Sequence, residues 1–414
     1  MSINFDYKKP LDQRKLSDKI FLTLGLIALG RLGSFIPIPD VDQAYLYSEL
    51  KNIQILNFFS SFAQGNFFIL GVFSLGILPN INASILIQLL VAIFPPLKRL
   101  QREEGEAGRN KITYATRVLT GLIALQYGFI IGFYLKPFVF GWNVFRAAEI
   151  ALILTFGSLV ILFFSEIINK YGVGNGTSLF IFVNISSSLP LILENLNSSV
   201  PILTQIIFGS VFLVAVFCII IMQNATRKIK VVSIKQLLRV SPRKEDTYLP
   251  FRLNPSGIMP LIFASSLINL LVVAINKFGL SESFKPFYSL TYTLGYFLFT
   301  LFFSYFYSTV VVNPIDLSKD LKNMSFTIPT IAPGASTMKF LQNTLNRLAL
   351  LGGLFLAVAV SLPSLFINIV PDINGIKGFG STSLIILVGV TIDLSRQIRT
   401  YLISESYDNI EMQD

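Results

Sequence analysis

Gly76-Ile-Leu-Pro-Asn-Ile-Asn-Ala-Ser-Ile-Leu-Ile-Gln-Leu-Leu90 is an apolar run with a glycine and a proline near its beginning, and it recurs later in the chain. The second copy is Gly257-Ile-Met-Pro-Leu-Ile-Phe-Ala-Ser-Ser-Leu-Ile-Asn-Leu-Leu271. The matched positions include Pro79 with Pro260, Ile81 with Ile262, Ala83 with Ala264, Ser84 with Ser265, and Gln88 with Asn269. Self-similarity of this kind indicates an internal repeat, to which chance likeness between apolar segments is the alternative.

A fainter echo pairs the segment Gly174–Ile181 with the segment Gly380–Ile386. By position along the chain, the two members of each pair run in opposite directions through a membrane. Matching sequences in opposite orientations predict two halves related by a pseudo-two-fold axis in the membrane plane. Such inverted repeats place the working site at the interface between the halves, near the midplane.

The amino-acid composition indicates whether the chain is surrounded mainly by water or by lipid. Of the 414 residues, 53% are apolar and 14% are charged, and the mean hydropathy is +0.65. Soluble domains carry about 25% charged residues, so this composition predicts an integral membrane protein. Run length predicts about ten transmembrane helices, which makes the fold class an all-α polytopic membrane protein. The candidate spans are Ile20–Phe35, Phe68–Phe94, Ile112–Leu135, Ala147–Ile168, Ser178–Leu193, Ile202–Met222, Gly257–Ile275, Phe287–Val312, Leu345–Ile369 and Ser381–Ile398.

Lysine and arginine collect in every second connection, which orients the chain. The positive-inside rule places these connections, and both termini, in the cytoplasm or in the stroma of a plastid. The predicted organisation lists the N-terminus 1–19, a first five-helix half 20–193, a second half 202–398 and a tail 399–414. Two long basic loops, 223–256 and 313–344, interrupt the second half, and loops of that length usually have a function.

Missing residue types exclude several classes of site. The chain has no histidine and one cysteine, Cys218, so a His-dependent triad and a disulfide framework are excluded. Paired intramembrane carboxylates are also missing, so we expect no enzyme activity and no cofactor or metal. A secondary transporter with inverted repeats is the alternative function, but transporters usually carry charged ligands inside their spans. Here Glu166, Asp393 and Arg31 lie toward the ends of theirs.

Motifs along nearly the whole chain resemble the SecY family, the channel-forming subunits of preprotein translocases. No single motif is specific, but their order and spacing together are. They are Arg31-Leu-Gly-Ser-Phe-Ile-Pro-Ile-Pro39, Leu75-Gly-Ile-Leu-Pro79, Glu104-Gly-Glu-Ala-Gly-Arg109, Gly172-Val-Gly-Asn-Gly-Thr-Ser178, Ile262-Phe-Ala-Ser-Ser266, Asn313-Pro314 and Ser381-Thr-Ser-Leu384.

The resemblance implies two five-helix halves around a central pore, through which unfolded preproteins cross and from which transmembrane segments leave sideways into lipid. It implies a plug within 53–74. It also implies a lateral gate, and by motif position the residues there are Gln88, Ser265 and Ser266. The implied aliphatic pore ring consists of Ile77, Ile81, Ile181, Ile185, Ile262 and Ile386.

The implied partners are SecE-like and possibly SecG-like small membrane subunits, a SecA-type ATPase motor or the ribosome, preproteins with signal sequences, and the lipid bilayer. The first basic loop would dock the motor or the ribosome. Its candidate residues are Arg227, Lys228, Lys230, Lys235, Arg239, Arg243 and Lys244. The richness in Phe, Ile and Asn and the short tail favour a plastid thylakoid membrane, with a bacterial inner membrane as the alternative.

Two positions depart from the family pattern. Pro329-Thr-Ile-Ala-Pro-Gly334 has Ala332 where the resemblance leads us to expect an arginine that serves motor-driven translocation. Asp40 follows the Pro-Ile-Pro motif at a position that is often glycine.

Overall fold

A computed structural model of the chain describes residues 16–43, 45–46, 70–103, 105–199, 201–233, 248–254, 257, 259–265, 267–268, 288–311, 314–329, 331–369 and 381–411. Most of these residues are helical, which confirms the all-α fold class. The helices are α1 Leu16–Gly33, α2 Leu78–Ile93, α3 Pro95–Glu103, α4 Gly105–Tyr134, α5 Val144–Tyr171, α6 Gly176–Ser199, α7 Ile202–Asn224, α8 Tyr288–Val311, α9 Pro314–Asn323, α10 Ala335–Ile369 and α11 Ser381–Glu411. Short strands lie in the basic loops: β1 Thr226–Lys230, β2 Val232–Ser233, β3 Tyr248–Arg252 and β4 Phe326–Thr327.

Several of these helices have the length and apolar composition of transmembrane segments. Among the described residues, three helical stretches are long and apolar enough to cross one, namely α4, α5 and Gln205–Asn224 of α7. Leu78–Val91 of α2 and Gly176–Ser187 of α6 are apolar but shorter. The predicted span Gly257–Ile275 lies partly outside the described residues, which show helix at 259–265. The count of about ten spans therefore stays a prediction from run length.

The described chain divides into two compact units. The first runs to Asn195 and includes the part of α11 that begins at Val390, and the second runs from Leu196 to Gly389. In the first unit, α5 packs against both α1 and α4, and α4 also packs against α2 and α3. In the second unit, α10 packs against α7, α8 and α9.

The second span begins later than predicted, at Leu78 instead of Phe68. Residues 72–77 form turns because the chain before them pairs as an extended segment: Ile38 N–H donates to Leu70 O at 3.1 Å. Val72 N–H donates to Ile36 O at 2.9 Å. Helical hydrogen bonding cannot use groups that are already committed to this pairing, so the apolar run becomes helical only after Gly76.

Two helices extend beyond their predicted limits. α10 begins at Ala335, before the predicted Leu345, and α11 continues to Glu411, through most of the predicted tail 399–414. Hydropathy marks the apolar part of a helix, but polar residues with good helix propensity, such as Gln and Arg, continue a helix in water. Run length therefore underestimates helices that leave the membrane.

Helices α4 and α5 approach each other through small residues. A Cβ built on Gly128 would lie 2.7 Å from Cα of Ala151, and one on Gly132 would lie 3.0 Å from the carbonyl oxygen of Ala147. Both alanines are 0% exposed. The glycines are four residues apart, as are the alanines, so the contact is a small-residue interface of the kind that lets membrane helices pack backbone to backbone.

The two basic loops, predicted separately, fold into one module in the second unit. Strand β1 pairs antiparallel with β3 of the same loop, and β2 pairs with β4 of the other loop. Their apolar side chains and those of α9 and α10 form a shared core. Its buried members are Ile229, Val231, Phe251, Leu321, Ile328, Leu341, Leu345 and Leu348.

Gly128→Ala is expected to lower the free energy of unfolding by about 1–3 kcal/mol, because the new methyl group overpacks the α4–α5 interface. Gly121→Ala on the same helix is the matched control, because its Cβ would meet no atom within 4 Å. That control should be neutral or stabilise by up to about 1 kcal/mol, since alanine favours helix over glycine. Thermal unfolding of both purified variants measures the difference, and equal midpoints would contradict the close-packed interface.

Candidate functional site

The two copies of the repeated sequence have the same local conformation. Gly76 has φ of 54° and Gly257 has φ of 64°, a left-handed backbone that glycine adopts most easily. Each glycine is followed within two residues by a helix, whose first turn contains Pro79 or Pro260. Proline is tolerated there because first-turn N–H groups have no partner inside the helix. The match therefore extends from sequence to backbone geometry.

All the predicted ring residues are buried, with exposures between 1% for Ile77 and 5% for Ile81 and Ile185. Ile77, Ile81, Ile181 and Ile185 belong to the first unit, and Ile262 and Ile386 belong to the second. Paired positions of the repeats also match in burial: Ile81 is 5% exposed and Ile262 3%, while Ile181 and Ile386 are both 2% exposed. Their assembly into one ring stays a prediction.

The beginning of α2, which follows Ile77 and carries Ile81, is held by α5. The Ser158 hydroxyl donates to the carbonyl oxygen of Gly76 at 3.1 Å, in a buried position. One residue earlier, a Cβ on Gly157 would lie 2.1 Å from the carbonyl oxygen of Val72, so only glycine fits. These contacts fix the turn that precedes α2 against a neighbouring helix.

The family motif Gly172–Ser178 forms the corner between α5 and α6. Val173 N–H donates to the Thr23 hydroxyl of α1 at 3.0 Å, and Gly174 N–H donates to Gln397 Oε1 of α11 at 2.9 Å. A Cβ on Gly176 would lie 2.4 Å from the carbonyl oxygen of Ser165. The corner therefore ties α6 to three other helices.

Asn175 caps α6, which carries Ile181 and Ile185. Its Oδ1 accepts hydrogen bonds from the N–H groups of Thr177 at 3.1 Å and Ser178 at 3.4 Å. An asparagine at the beginning of a helix satisfies N–H groups that have no intrahelical partner. The position of both isoleucines thus depends on a motif that lies several residues away from them.

Of the predicted gate residues, Ser266 lies outside the described residues. Ser265 is buried, and its hydroxyl donates to the carbonyl of Ile262 in its own helix at 2.9 Å. Gln88 has a buried Oε1 with no hydrogen-bond partner among the described residues. The gate assignment stays a prediction.

Polar bonds between helices occur at asparagines that the sequence analysis did not single out. Asn82 Nδ2 donates to the Tyr127 hydroxyl of α4 at 2.8 Å, and the Thr120 hydroxyl of α4 donates to Asn80 Oδ1 at 3.4 Å. Two asparagines inside an apolar run were the available signal, because buried amides need partners. They join α2 to α4 within the first unit.

The basic module presents three cations on one face. In the β1–β3 register, Lys228 pairs with Pro250, Lys230 with Tyr248, and Arg252 with Thr226, and all of these are exposed. Phe251 and Ile229 lie on the opposite face, in the core. The Lys228 ammonium lies 4.6 Å from the Tyr248 ring centroid, a cation–π distance. Arg252 was not among the predicted docking residues.

The other predicted docking residues are only partly described. Arg227 is exposed on β1, while Lys235, Arg239, Arg243 and Lys244 lie outside the described residues. Within the described ranges, no group of three or more histidine, cysteine, aspartate or glutamate side chains is placed to hold a metal ion.

Both departures from the family pattern have a visible context. Asp40 has φ of 61°, the backbone conformation that explains a preference for glycine, and aspartate tolerates it better than most residues. Its carboxylate lies 3.7 Å from Arg146. Ala332 is exposed, and its carbonyl accepts the Thr337 hydroxyl at 2.9 Å, so its side chain is not needed to hold the turn.

Comparisons with known proteins give one family. The SecY family model matches residues 71–395, more than half of the chain. Protein translocase subunit SecY of Guillardia theta is 42% identical over 97% of this chain and 98% of its own length. The protein of the same name from Synechocystis is 38% identical, over 95% of this chain and 94% of its own length.

Solved structures share the fold. One described as a protein-conducting channel superposes with a TM-score of 0.67 at 16% identity, covering 96% of this chain and 95% of its own. Sec61 in the canine ribosome–channel complex from the endoplasmic reticulum gives a TM-score of 0.62 at 16% identity, with coverages of 96% and 95%.

Ser158→Ala is expected to cost about 1–3 kcal/mol of unfolding free energy, because it removes a hydrogen bond to the buried Gly76 carbonyl. Ser210→Ala is the control, since the exposed Ser210 donates only to Ile207 O within α7. That control should stay within about 0.5 kcal/mol of the unmodified chain. Denaturation curves of the two variants that coincide would mean that Ser158 does not hold the turn before α2.

Proposed function

Because this chain belongs to the SecY family, we propose that it is a protein-conducting channel for unfolded preproteins, with lateral release of transmembrane segments into lipid. The observation that carries this function is the 42% identity to a protein translocase subunit SecY over nearly the full length of both chains. The chain is a helical membrane protein with the fold of solved protein-conducting channels.

The six buried isoleucines support a constriction that closes without charge. Each is at most 5% exposed, and each half of the repeat supplies members from corresponding positions. A narrow aliphatic waist excludes ions because water leaves it, and flexible side chains can fit around a passing polypeptide of any sequence. The proposed ring is Ile77, Ile81, Ile181, Ile185, Ile262 and Ile386.

The lateral exit is proposed at Gln88, Ser265 and Ser266. The buried Oε1 of Gln88, which has no hydrogen-bond partner in the described part of the chain, supports this location, because an unsatisfied amide weakens a helix contact that must separate. A signal segment that reaches the exit would enter lipid through the transfer free energy of its own apolar side chains. The segment 53–74 is proposed as the plug, of which Leu70–Ser74 are described.

The basic module is proposed as the docking surface for the ribosome or a SecA-type motor. Its exposed lysines and Arg252 share one face of the β1–β3 pair, and such a face attracts ribosomal RNA phosphates. The likeness to Sec61 in a ribosome–channel complex supports the ribosome as a partner. Ala332 is exposed and stands where the family pattern has an arginine, which supports an altered coupling to a SecA-type motor.

The remaining proposals concern the partner subunits, the membrane and the source of energy for transport. SecE-like and SecG-like subunits are proposed as membrane partners. A plastid thylakoid membrane is favoured over a bacterial inner membrane because the algal relative from Guillardia theta is 42% identical and the cyanobacterial relative from Synechocystis is 38% identical. The chain is proposed to lack enzyme activity, so a partner must supply the energy for transport. The secondary transporter alternative is not favoured, since the relatives are named translocase subunits.

A photo-crosslinking amino acid at Ile262 is expected to react with a secretory precursor that is stalled midway through transport, because the precursor would pass this waist. The control position is Leu213, which is 68% exposed on α7. A crosslink at Ile262 that requires a functional signal sequence, with none at Leu213, supports the channel. Absence of the crosslink at Ile262 during demonstrable transport would refute the assignment of this residue to the pore.

Replacing Lys228 and Lys230 together by glutamine is expected to weaken ribosome binding and to reduce the salt dependence of the affinity. Each lysine that contacts a phosphate contributes about 1 to the slope of log affinity against log salt concentration, so the slope should fall by about 2. The matched control replaces Lys136 and Lys170, which are exposed in the first unit, by glutamine. Binding titrations across a salt series measure both pairs, and equal slopes would contradict docking through β1.

A further inference from the structure

The connection between α4 and α5 exposes a group of aromatic side chains to its surroundings. Phe145, in the first turn of α5, is 84% exposed, and Phe140 is 62% exposed. Phe133 and Tyr134, in the last turn of α4, are 53% and 47% exposed. We call these four side chains the aromatic rim. Large apolar side chains that are exposed together mark a contact with lipid or with another molecule.

The aromatic rim is carried on a hydrogen-bonded support. Phe140 N–H donates to Asp40 O at 3.1 Å. Arg146 lies 3.7 Å from the Asp40 carboxylate and donates to the carbonyl oxygen of Phe140. Trp142 Nε1 donates to Gly132 O at 3.4 Å, which fixes the indole against the end of α4. The exposed rings therefore project from a fixed backbone.

Charged residues mark the depth of this corner in the membrane. On α5 the stretch 150–165 has no charged residue and is bounded by Glu149 and Glu166. Its sixteen residues rise about 24 Å, which fits within a hydrocarbon core of roughly 30 Å. Glu166 bonds to Arg117 of α4 at 2.6 Å, at the end of both helices that is remote from the corner. Phe145 lies about one turn beyond Glu149, which is the level of the lipid headgroups.

A lysine accompanies the aromatic rim. Lys136 is exposed, and its ammonium lies 4.9 Å from the Trp142 ring centroid. Among the described residues no carboxylate lies within ion-pair distance of this ammonium, while Arg146 compensates Asp40. Tryptophan and lysine together are typical of membrane–water interfaces, where the ring lies among the headgroups and the ammonium extends toward the phosphates.

We propose that the aromatic rim anchors the α4–α5 corner in the headgroup layer of the leaflet opposite the basic loops, with Lys136 on the phosphate of an anionic lipid. Lipid is favoured over a protein partner because the rim continues two helices that are long and apolar enough to cross a membrane. The positive-inside rule assigns this leaflet, since the corner is at the other end of α4 from Arg109 and Lys111. This inference goes beyond the proposed channel function and does not rest on it.

The first test uses intrinsic fluorescence, because Trp142 is the only tryptophan in the chain. The full chain is reconstituted into phosphatidylcholine vesicles whose acyl chains are brominated either near the headgroup or near the chain end. Shallow bromines are expected to quench Trp142 roughly twofold more than deep ones, because an interfacial ring lies at headgroup level. Equal or weaker quenching by the shallow bromines overturns the proposal, and ready quenching by aqueous iodide would then indicate a surface for a protein partner in water.

The second test removes part of the aromatic rim by combining Phe140→Ser with Phe145→Ser. Iodide quenching of Trp142 is expected to rise roughly twofold, because the corner loses apolar area that holds it in the leaflet. Thermal stability should stay near that of the unmodified chain, since both side chains are exposed. The matched control combines Tyr114→Ser with Val118→Ser, two exposed positions nearer the other end of α4. Iodide quenching that is equal in the two double variants overturns the anchoring role of the rim.

The third test concerns the lipid phosphate. At a low share of brominated lipid, brominated phosphatidylglycerol is expected to be enriched around Trp142 roughly fivefold over brominated phosphatidylcholine, because a lysine near a membrane surface attracts anionic lipid to about that extent. Lys136→Gln should abolish this excess. Lys170→Gln is the matched control, because the Lys170 ammonium also lies over an aromatic ring, 5.1 Å from the centroid of Tyr171, at the other end of α5. Equal quenching by the two lipids, or an excess that persists in Lys136→Gln, overturns the assignment of the phosphate to Lys136.

Discussion

Backbone groups that leave a regular helix at membrane depth need hydrogen-bond partners in the protein or in a water-filled cavity, and this constraint acts on the chain from Leu70 to Ile77. Its groups pair with Ile36 and Ile38, with the Gln43 amide and with the Ser158 hydroxyl. A nonhelical segment can exist beside lipid only when it is satisfied in this way. The starting point of α2, and with it the position of Ile77 and Ile81, follows from these bonds.

Glycine contributes to this arrangement in two ways, through a left-handed turn and through close contacts between backbones. Gly76 provides the left-handed turn before α2, while Gly157 and Gly176 allow carbonyl groups of neighbouring segments to approach to distances that a Cβ would block. Without a hydrophobic force between helices in lipid, such close contact contributes van der Waals attraction that larger side chains would prevent. These supports fix the backbone near Ile77, Ile81, Ile181 and Ile185, which leaves the side chains as the adaptable part of the proposed constriction.

The basic module follows different physics because its exposed face is charged. Its core contains apolar side chains from both loops, and its lysines project from the opposite face of the β1–β3 pair. A docking surface on strands keeps its charges at fixed spacing, whereas a flexible loop would lose entropy on binding. The pairing of β2 with β4 explains why two distant loops belong to one surface.

The sequence by itself determined the membrane class, the repeat and the family, because composition, self-similarity and motif order are all local or statistical properties. It did not predict the late beginning of α2, the strands joining the two basic loops, the Asn82–Tyr127 bond or the hydrogen bonds between the Gln43 carboxamide and Leu70. Each of these depends on a partner distant in sequence, and hydropathy contains no information on which distant groups will meet. Only the tertiary structure decided them, because a buried hydrogen bond is specified by the position of both its donor and its acceptor.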